Sequence, residues 1–519
     1  MTLVMVKLEQ LSDRETLLQA AKLLELENRR LLAQVLDLQR QLMEAKGTSP
    51  ESLQERLALL EHQLSCARKK LFGDSSEKRT DPAEPAVSEE IPKAKPPGHG
   101  PRKQPALQEV PTELLLDQAD QVCPCCGKQL LAWENQFESS EQVDVVERRF
   151  VLRKNLRQKY RCECGHIETA LPAEQLKPGG RYTIDFAVEV AVDKYLDHMP
   201  LQRQARAMER DGLKIDSQTL WDQLLSLHSL LKPLNARLKA HLFSQSVIGA
   251  DETWWRVMDN GKLASESKRW WIWALSHPTA MWYSMQPGRG KDDGAEVLVG
   301  YSGVVMADGY AVYPALAKKH QRFSMVFCWS HARRVFYELR ETFPSDSKLV
   351  LDLIGRLYDV ERAVPPGELF DEVRRAARDQ LSRPLINELQ SALVGIRTLP
   401  GSLLEKAAQY IASRWSGLTR FLEDPRIPLD NNATERGLRG PVIGRKNHYG
   451  SRSELGTEVA ALFYSLLESA KLNGIDGRGY LRWVAREAAA KRDLRLPHEC
   501  LDLLELRLDR SRAVLDPAA

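Results

Sequence analysis

The chain has 519 residues, 43% hydrophobic and 28% charged, with a formal net charge of +3. That length implies three or more domains, and a composition ordinary for a soluble protein names no function by itself. No run of 18 apolar residues provides a membrane span, the N-terminus lacks a secretory h-region, and so small a net charge confines any nucleic-acid signal to local clusters.

Near the N-terminus, Leu17, Leu24, Leu31 and Leu38 recur every seven residues, with Ala21, Asn28, Val35 and Leu42 at the alternate seam positions. About four heptads predict a leucine-zipper coiled coil between chains. The polar Asn28 would fix its register and Val35 favours a parallel dimer; a helical hairpin within one chain is the competing reading. A second series, Leu53, Leu57, Leu60 and Leu64, stops at Gly73 after Arg68, Lys69 and Lys70, as helix C-termini do. Residues 1–73 are assigned to this element. Residues 74–112, rich in Pro, Glu and Lys, read as a disordered linker.

Five of the eight cysteines fall between Cys123 and Cys164. In a chain without a secretory signal this clustering favours metal over disulfides. Cys123 and Cys126, followed by Gly127, form one knuckle, and Cys162 and Cys164 the other. These four are expected to hold structural Zn²⁺ in a ribbon over residues 113–178. The second pair is one residue short of the usual spacing, so His166 or Cys125 is an alternative ligand.

Residues 179–243 read as helical. PLQRQARAMERDGLKIDSQTLWDQLLSLH carries one helix, a Gly-containing turn at Asp211–Ile215 and a second helix opened by Asp216 or Ser217. That is a helix-turn-helix pattern for a DNA-binding domain, although plain helix packing produces it too. After Phe243 the period changes. SQSVIGADETWWRV, RWWIWALS and AMWYSMQP predict three consecutive antiparallel strands. GAEVLVGYSG predicts a short helix, GVVMADGYAVY a buried strand ending at Asp308, and FSMVFCWSHARRVFYELR a strand running into a helix.

That order is the order of a ribonuclease H-like fold, with Asp251 and Asp308 at the ends of its first and fourth strands. A carboxylate there needs a partner or a metal, and two side by side repel until a divalent cation relieves them. Within LDNNATERGLRGPVIGRKNHYG, Asp430 or Asn431 is placed to cap a helix beginning at about Asn432, with Glu435 in its first turn. Taken locally, Glu435 beside Arg436, Arg439, Arg445 and Lys446 is a counter-charge on a basic helix. With two strand-end aspartates upstream it becomes the third carboxylate of a two-metal site. The expected division is a core over 244–340 and 425–472, a helical insertion over 341–424, and a C-terminal helical element over 473–519. His331, Arg333 and Arg334 are further candidates for phosphate contact. One of Trp254 and Trp255 is free to stack on a base. Cys328 sits in an apolar run and reads as core.

The chain resembles the DDE transposases of the bacterial insertion-sequence sixty-six family. The resemblance rests on KLFGDSSEK at Lys70–Lys78, CPCCGK, DKYLDHMPLQRQ at Asp193–Gln204, ADETWW, ADGYAVY, CWSHARRVF, the long motif around Glu435, and SAKLNGID at Ser469–Asp476. It implies Asp251, Asp308 and Glu435 as the acidic triad holding two Mg²⁺ ions (or Mn²⁺), and double-stranded DNA, both element ends and target, as substrate. It also implies a homo-oligomer of at least two chains, accessory proteins of the same element, no membrane partner, and a cytoplasmic, nucleoid-associated location in a bacterium. Two rivals stand beside it: a non-catalytic DNA-binding regulator, and a nuclease with the same core but no strand transfer. The chain departs from the family at Gly477, where proline is expected, and in ending LDPAA without an aromatic closing motif.

Overall fold

The computed structural model describes residues 150–161, 167–169, 175–177, 179–258, 268–398 and 401–503, with Lys128 and Leu506 besides. The zipper, the linker and the expected zinc ligands Cys123, Cys126, Cys162 and Cys164 lie outside these residues. Two short antiparallel strands, β1 (Lys159–Arg161) and β2 (Ile167–Thr169), flank the second cysteine pair in sequence. By contacts, the chain separates into two compact units; of the described residues, 328–429 form one and the remainder the other.

Four helices follow: α1 (Ile184–Tyr195), α2 (Leu201–Arg210), α3 (Ser217–Leu231) and α4 (Pro233–Phe243). Their starts are chemical. The Thr183 hydroxyl accepts from Phe186 N at 3.2 Å and the Asp216 carboxylate from Thr219 N at 2.6 Å, each serving an N–H that the helix leaves unbonded. Leu220, Leu224, Leu227 and Leu231 recur on one face of α3, and all are fully buried.

Next come β3 (Val247–Val257), β4 (Lys268–His277), β5 (Ala280–Gln286), α5 (Lys291–Leu298), β6 (Gly303–Ala307), α6 (Val312–His320) and β7 (Phe323–Phe327). The sheet order is β5-β4-β3-β6-β7, with the first three strands antiparallel and β6 and β7 parallel to β3. A two-residue turn can join antiparallel strands, whereas the parallel pairs need the helical crossovers α5 and α6.

The unit at 328–429 is all helical: α7 (Trp329–Leu339), α8 (Pro344–Ala363), α9 (Asp371–Ala377), α10 (Arg383–Gly395), α11 (Leu403–Ala412) and α12 (Trp415–Thr419). Its centre holds a buried cation. Arg378 pairs with both oxygens of Glu361, at 2.7 and 2.9 Å, and donates to the carbonyls of Phe421, Asp424 and Ile427. Desolvating a guanidinium is tolerable only with this degree of satisfaction.

The chain then returns to the sheet unit with α13 (Asn432–His448), α14 (Glu454–Leu472) and α15 (Gly477–Ala489). α14 protects the edge strand: Ser465 and Ser469, one turn apart, accept the backbone N–H groups of Tyr283 and Met281, each at 2.9 Å. Arg486 and Arg482 of α15 hold Asp185 of α1. No helix among the described residues is long and apolar enough to cross a membrane.

Candidate active site

Register brings two of the acids level. Gly249 of β3 pairs with Met306 of β6 in parallel, the last pair of that ladder, and two residues further the charge of Asp308 reaches Asp251. Asp308 directly follows β6, as expected. Asp251 does not end its strand: β3 continues for six residues through the buried Trp255 and Val257. The acid interrupts the apolar pattern without interrupting the backbone, because side chains beyond it still alternate into the core.

α13 begins at Asn432, placing Glu435 in its first turn. Asn431 occupies the cap position but does not cap. Its side-chain amide donates to Ala250 O at 2.8 Å, just past the point where β6 stops pairing with β3, and its carbonyl accepts from the Thr434 hydroxyl at 2.5 Å. Asp430 instead receives Asn432 N at 3.0 Å. The far end of α13 is held to the same strand. Ser451 N donates to Arg256 O at 2.9 Å, Met258 N to Ser451 O at 2.8 Å, and the Trp255 indole to the Ser451 hydroxyl at 3.1 Å.

Between these anchors the helix lies close to the sheet because its facing residues are small. A Cβ on Gly249 would stand 2.5 Å from Ser276 Oγ and 2.7 Å from Asn431 Oδ1; one on Gly437 would press into Met281. Pro441, inside the helix, has no N–H for the carbonyl of Gly437 four residues back. The Tyr283 hydroxyl donates to that carbonyl at 2.6 Å, replacing the lost helical bond.

The negative charges of Asp308 and Glu435 both act on Asp251. Burial pushes its carboxyl up to about 8, followed by repulsion from Glu252, Asp308 and Glu435, against a lowering bond from Glu252 N. Asp251 Oδ1 accepts that bond at 2.8 Å, and Asp308 Oδ1 accepts Tyr310 N at 2.9 Å, so both carboxylates are oriented by backbone. Glu252 points to the opposite face, where Arg289 pairs with it at 2.6 Å and the Tyr313 hydroxyl donates to it. Arg289 lies over the Tyr310 ring at 3.8 Å, and the Tyr310 hydroxyl donates to Arg289 O. Sequence reasoning missed Glu252 and Arg289; a second acid directly after Asp251 in a strand was the available signal, since adjacent residues face opposite ways.

Of the basic candidates, Arg436, Arg439 and Lys446 are exposed on α13. Arg445 is turned inwards. It is 8% exposed, lies 3.8 Å over the Trp254 ring, and donates to Trp254 O and to Thr253 Oγ1. Trp254, the candidate for base stacking, is thus covered on one side, while Trp255 is fully buried. His331, Arg333 and Arg334 belong to α7 in the other unit; Arg334 is exposed and the other two are half-buried. Cys328 is buried, as read.

Residues 179–459 match the profile of the Transposase IS66 family, and residues 120–165 that of the zinc-finger binding domain of transposase IS66. An uncharacterized protein of Sinorhizobium fredii, y4jD, is 29% identical over 71% of this chain and 75% of its own. A second from that organism, y4qI, is 30% identical over 66% of this chain and 67% of its own. A solved structure, the "Mos1 transposase paired-end complex with left transposon end", aligns with 43% of this chain and 82% of its own at 12% identity. Its TM-score of 0.13 is too low to define a common fold.

Proposed function

The chain belongs to the Transposase IS66 family, and from that premise we propose that it is a DDE-type DNA transposase with a ribonuclease H-like core, cutting insertion-element ends and joining them to target DNA. The observation that supports the site assignment is that Asp251 within β3, Asp308 after β6 and Glu435 in the first turn of α13 lie close enough for the last two to act on the first. Two further acids whose charge reaches Asp251 complete a donor set suited to hard divalent cations. Asp251, Asp308 and Glu435 would hold two Mg²⁺ (or Mn²⁺) ions. When bound, these would favour the ionised attacking oxygen and offset charge on the leaving oxygen.

The chain's own residues set the geometry. Backbone N–H groups orient Asp251 and Asp308, and Asn431 fixes the turn that carries Glu435 to the strand beside Asp251. The exposed Arg436, Arg439 and Lys446 take phosphate oxygens and register the duplex, making binding strongly salt-dependent. Water attacks the phosphodiester at the element end and releases a 3′-OH. That oxygen then attacks a target phosphate and displaces the target strand's own 3′-oxygen. The zinc-binding segment and the N-terminal zipper serve to hold DNA and to pair subunits, so that two ends are cut in one complex. Accessory proteins of the same element complete the assembly, in the bacterial cytoplasm at the nucleoid.

Strand nicking of end-containing DNA with Mg²⁺ tests this. Glu435→Gln should abolish nicking and retain DNA binding. Equal nicking by that variant removes Glu435 from the site. Nicked but never joined product would turn the reading to a nuclease without strand transfer.

A further inference from the structure

Resting on the transposase reading, we propose that duplex DNA follows the exposed face of α13 away from Glu435 into a cleft at the far end of that helix, where α2 grips the phosphate backbone. The grip thus comes from the first helix of the helix-turn-helix, not from the second.

The second helix, α3, is unsuited to reading a groove. Leu220, Leu224, Leu227 and Leu231 are buried with Gln223 and His228, Leu225 and Leu230 are half-buried, and its exposed positions are Gln218, Asp222 and Ser229, none of them cationic. α2 is the opposite case. Gln204 and Met208 anchor it, while Arg203, Arg206 and Arg210 are exposed at three- and four-residue spacing on one face. These arginines line a cleft of about 460 Å³ together with His198, Asn447 and one acid, Asp197. None of the three has an ion-pair partner among the described residues, although Glu209 is exposed nearby. Asn447 ties the cleft to α13, whose exposed residues Arg436, Arg439, Lys446 and Asn447 fall on one face of the helix. Glu435 and Asn447 are twelve residues apart, about 18 Å along the axis. That distance corresponds to about five base pairs of duplex at 3.4 Å each. A duplex laid along α13 thus meets the arginines of α2 about half a helical turn from the phosphate at Glu435.

The test uses the full chain carrying Glu435→Gln, without divalent cation, so that DNA stays intact. The probe is a labelled mixed-sequence duplex of about 40 base pairs, followed by anisotropy between about 50 and 200 mM salt. Arg203→Gln, Arg206→Gln and Arg210→Gln together should weaken binding at least about tenfold and flatten the salt slope by about 2–3, near 0.9 for each phosphate that is no longer neutralised. Lysine at the same three positions should restore most of the slope, which separates lost charge from a damaged fold. Asp222→Ala with Ser229→Ala on α3 should change nothing. Parent-like binding by the glutamine variant, failure of lysine to restore the slope, or a loss confined to the α3 variant each overturns the inference. A parent chain that binds with this salt dependence but never nicks undoes the catalytic reading and leaves this one standing.

Discussion

Replacing Gly249 by alanine tests how α13 carries Glu435. The new Cβ would stand 2.5 Å from Ser276 Oγ and 2.7 Å from Asn431 Oδ1, with Thr434 Oγ1 nearer still, where ordinary contact begins at 3.4 Å. None of the three yields easily: the Ser276 and Thr434 hydroxyls are bonded at 2.6 Å, Thr434 is bonded to Asn431, and Asn431 to Ala250. The first turn of α13 must lift by about 1 Å, and Glu435 follows Thr434. Overpacking of this kind costs about 1–3 kcal/mol, and a misplacement of about 1 Å at a reacting centre costs about 100-fold in rate. Nicking at saturating DNA and Mg²⁺, beside a urea titration, should show both losses with DNA binding retained. Adding Thr434→Ala removes the nearest obstructing atom and should recover part of the rate. Nicking within about twofold of the parent at unchanged stability would mean that α13 does not seat on β3 in this way.

Tyr283→Phe should cost about 1–3 kcal/mol in urea, because the Gly437 carbonyl that Pro441 leaves unbonded loses its donor. Pro441→Ala in the same chain should return part of that loss by restoring a helical N–H. Glu252→Gln removes the charge opposing Arg289, but Arg289 is partly exposed and burial already disfavours the carboxylate, so stability should fall by only about 1 kcal/mol in the same assay. Burial pushes the His448 imidazole down to about 3, beneath its ordinary 6.5. The unfolded chain therefore takes that proton first, and the stability contribution is complete above about pH 6.5 and shrinks as pH falls towards 3. Denaturation at about pH 4.5 should reveal a loss of about 2–3 kcal/mol from this group, and His448→Gln should flatten that acid limb.

The strand order, the helix beginning at Asn432 and the place of Asp308 were legible because period and punctuation agree there: apolar alternation, a closing acid, then Gly309. The mid-strand position of Asp251 was not, because an acid inside a strand looks like its end until the register is known. Arg445 misled for another reason. It shares a helical stripe with Gly437, Leu438, Pro441 and Gly444, all buried, so period placed it inward while its charge suggested solvent. The Glu252–Arg289 pair joins residues 37 positions apart across the sheet, a contact that no local pattern encodes. The burial of α3 was written in its leucines, whose spacing covers too much of the helix to leave a reading face.

The detour of the chain between β7 and α13 has a consequence during synthesis. The ribosome adds about a hundred residues after Phe327 before it reaches Asn432, which at about 5–20 residues per second takes roughly 5–20 s. Throughout that interval the face of the sheet bearing Gly249, Ser276 and Met281 has no helix of its own to cover it, and only two of the three carboxylates exist. A copy of the gene interrupted anywhere in residues 328–429 would still encode β3 through β7 and the arginines of α2, but never Glu435. On the proposed function and the proposed α2 grip, its product, where it folds, would hold DNA without cutting it and so compete with the intact chain.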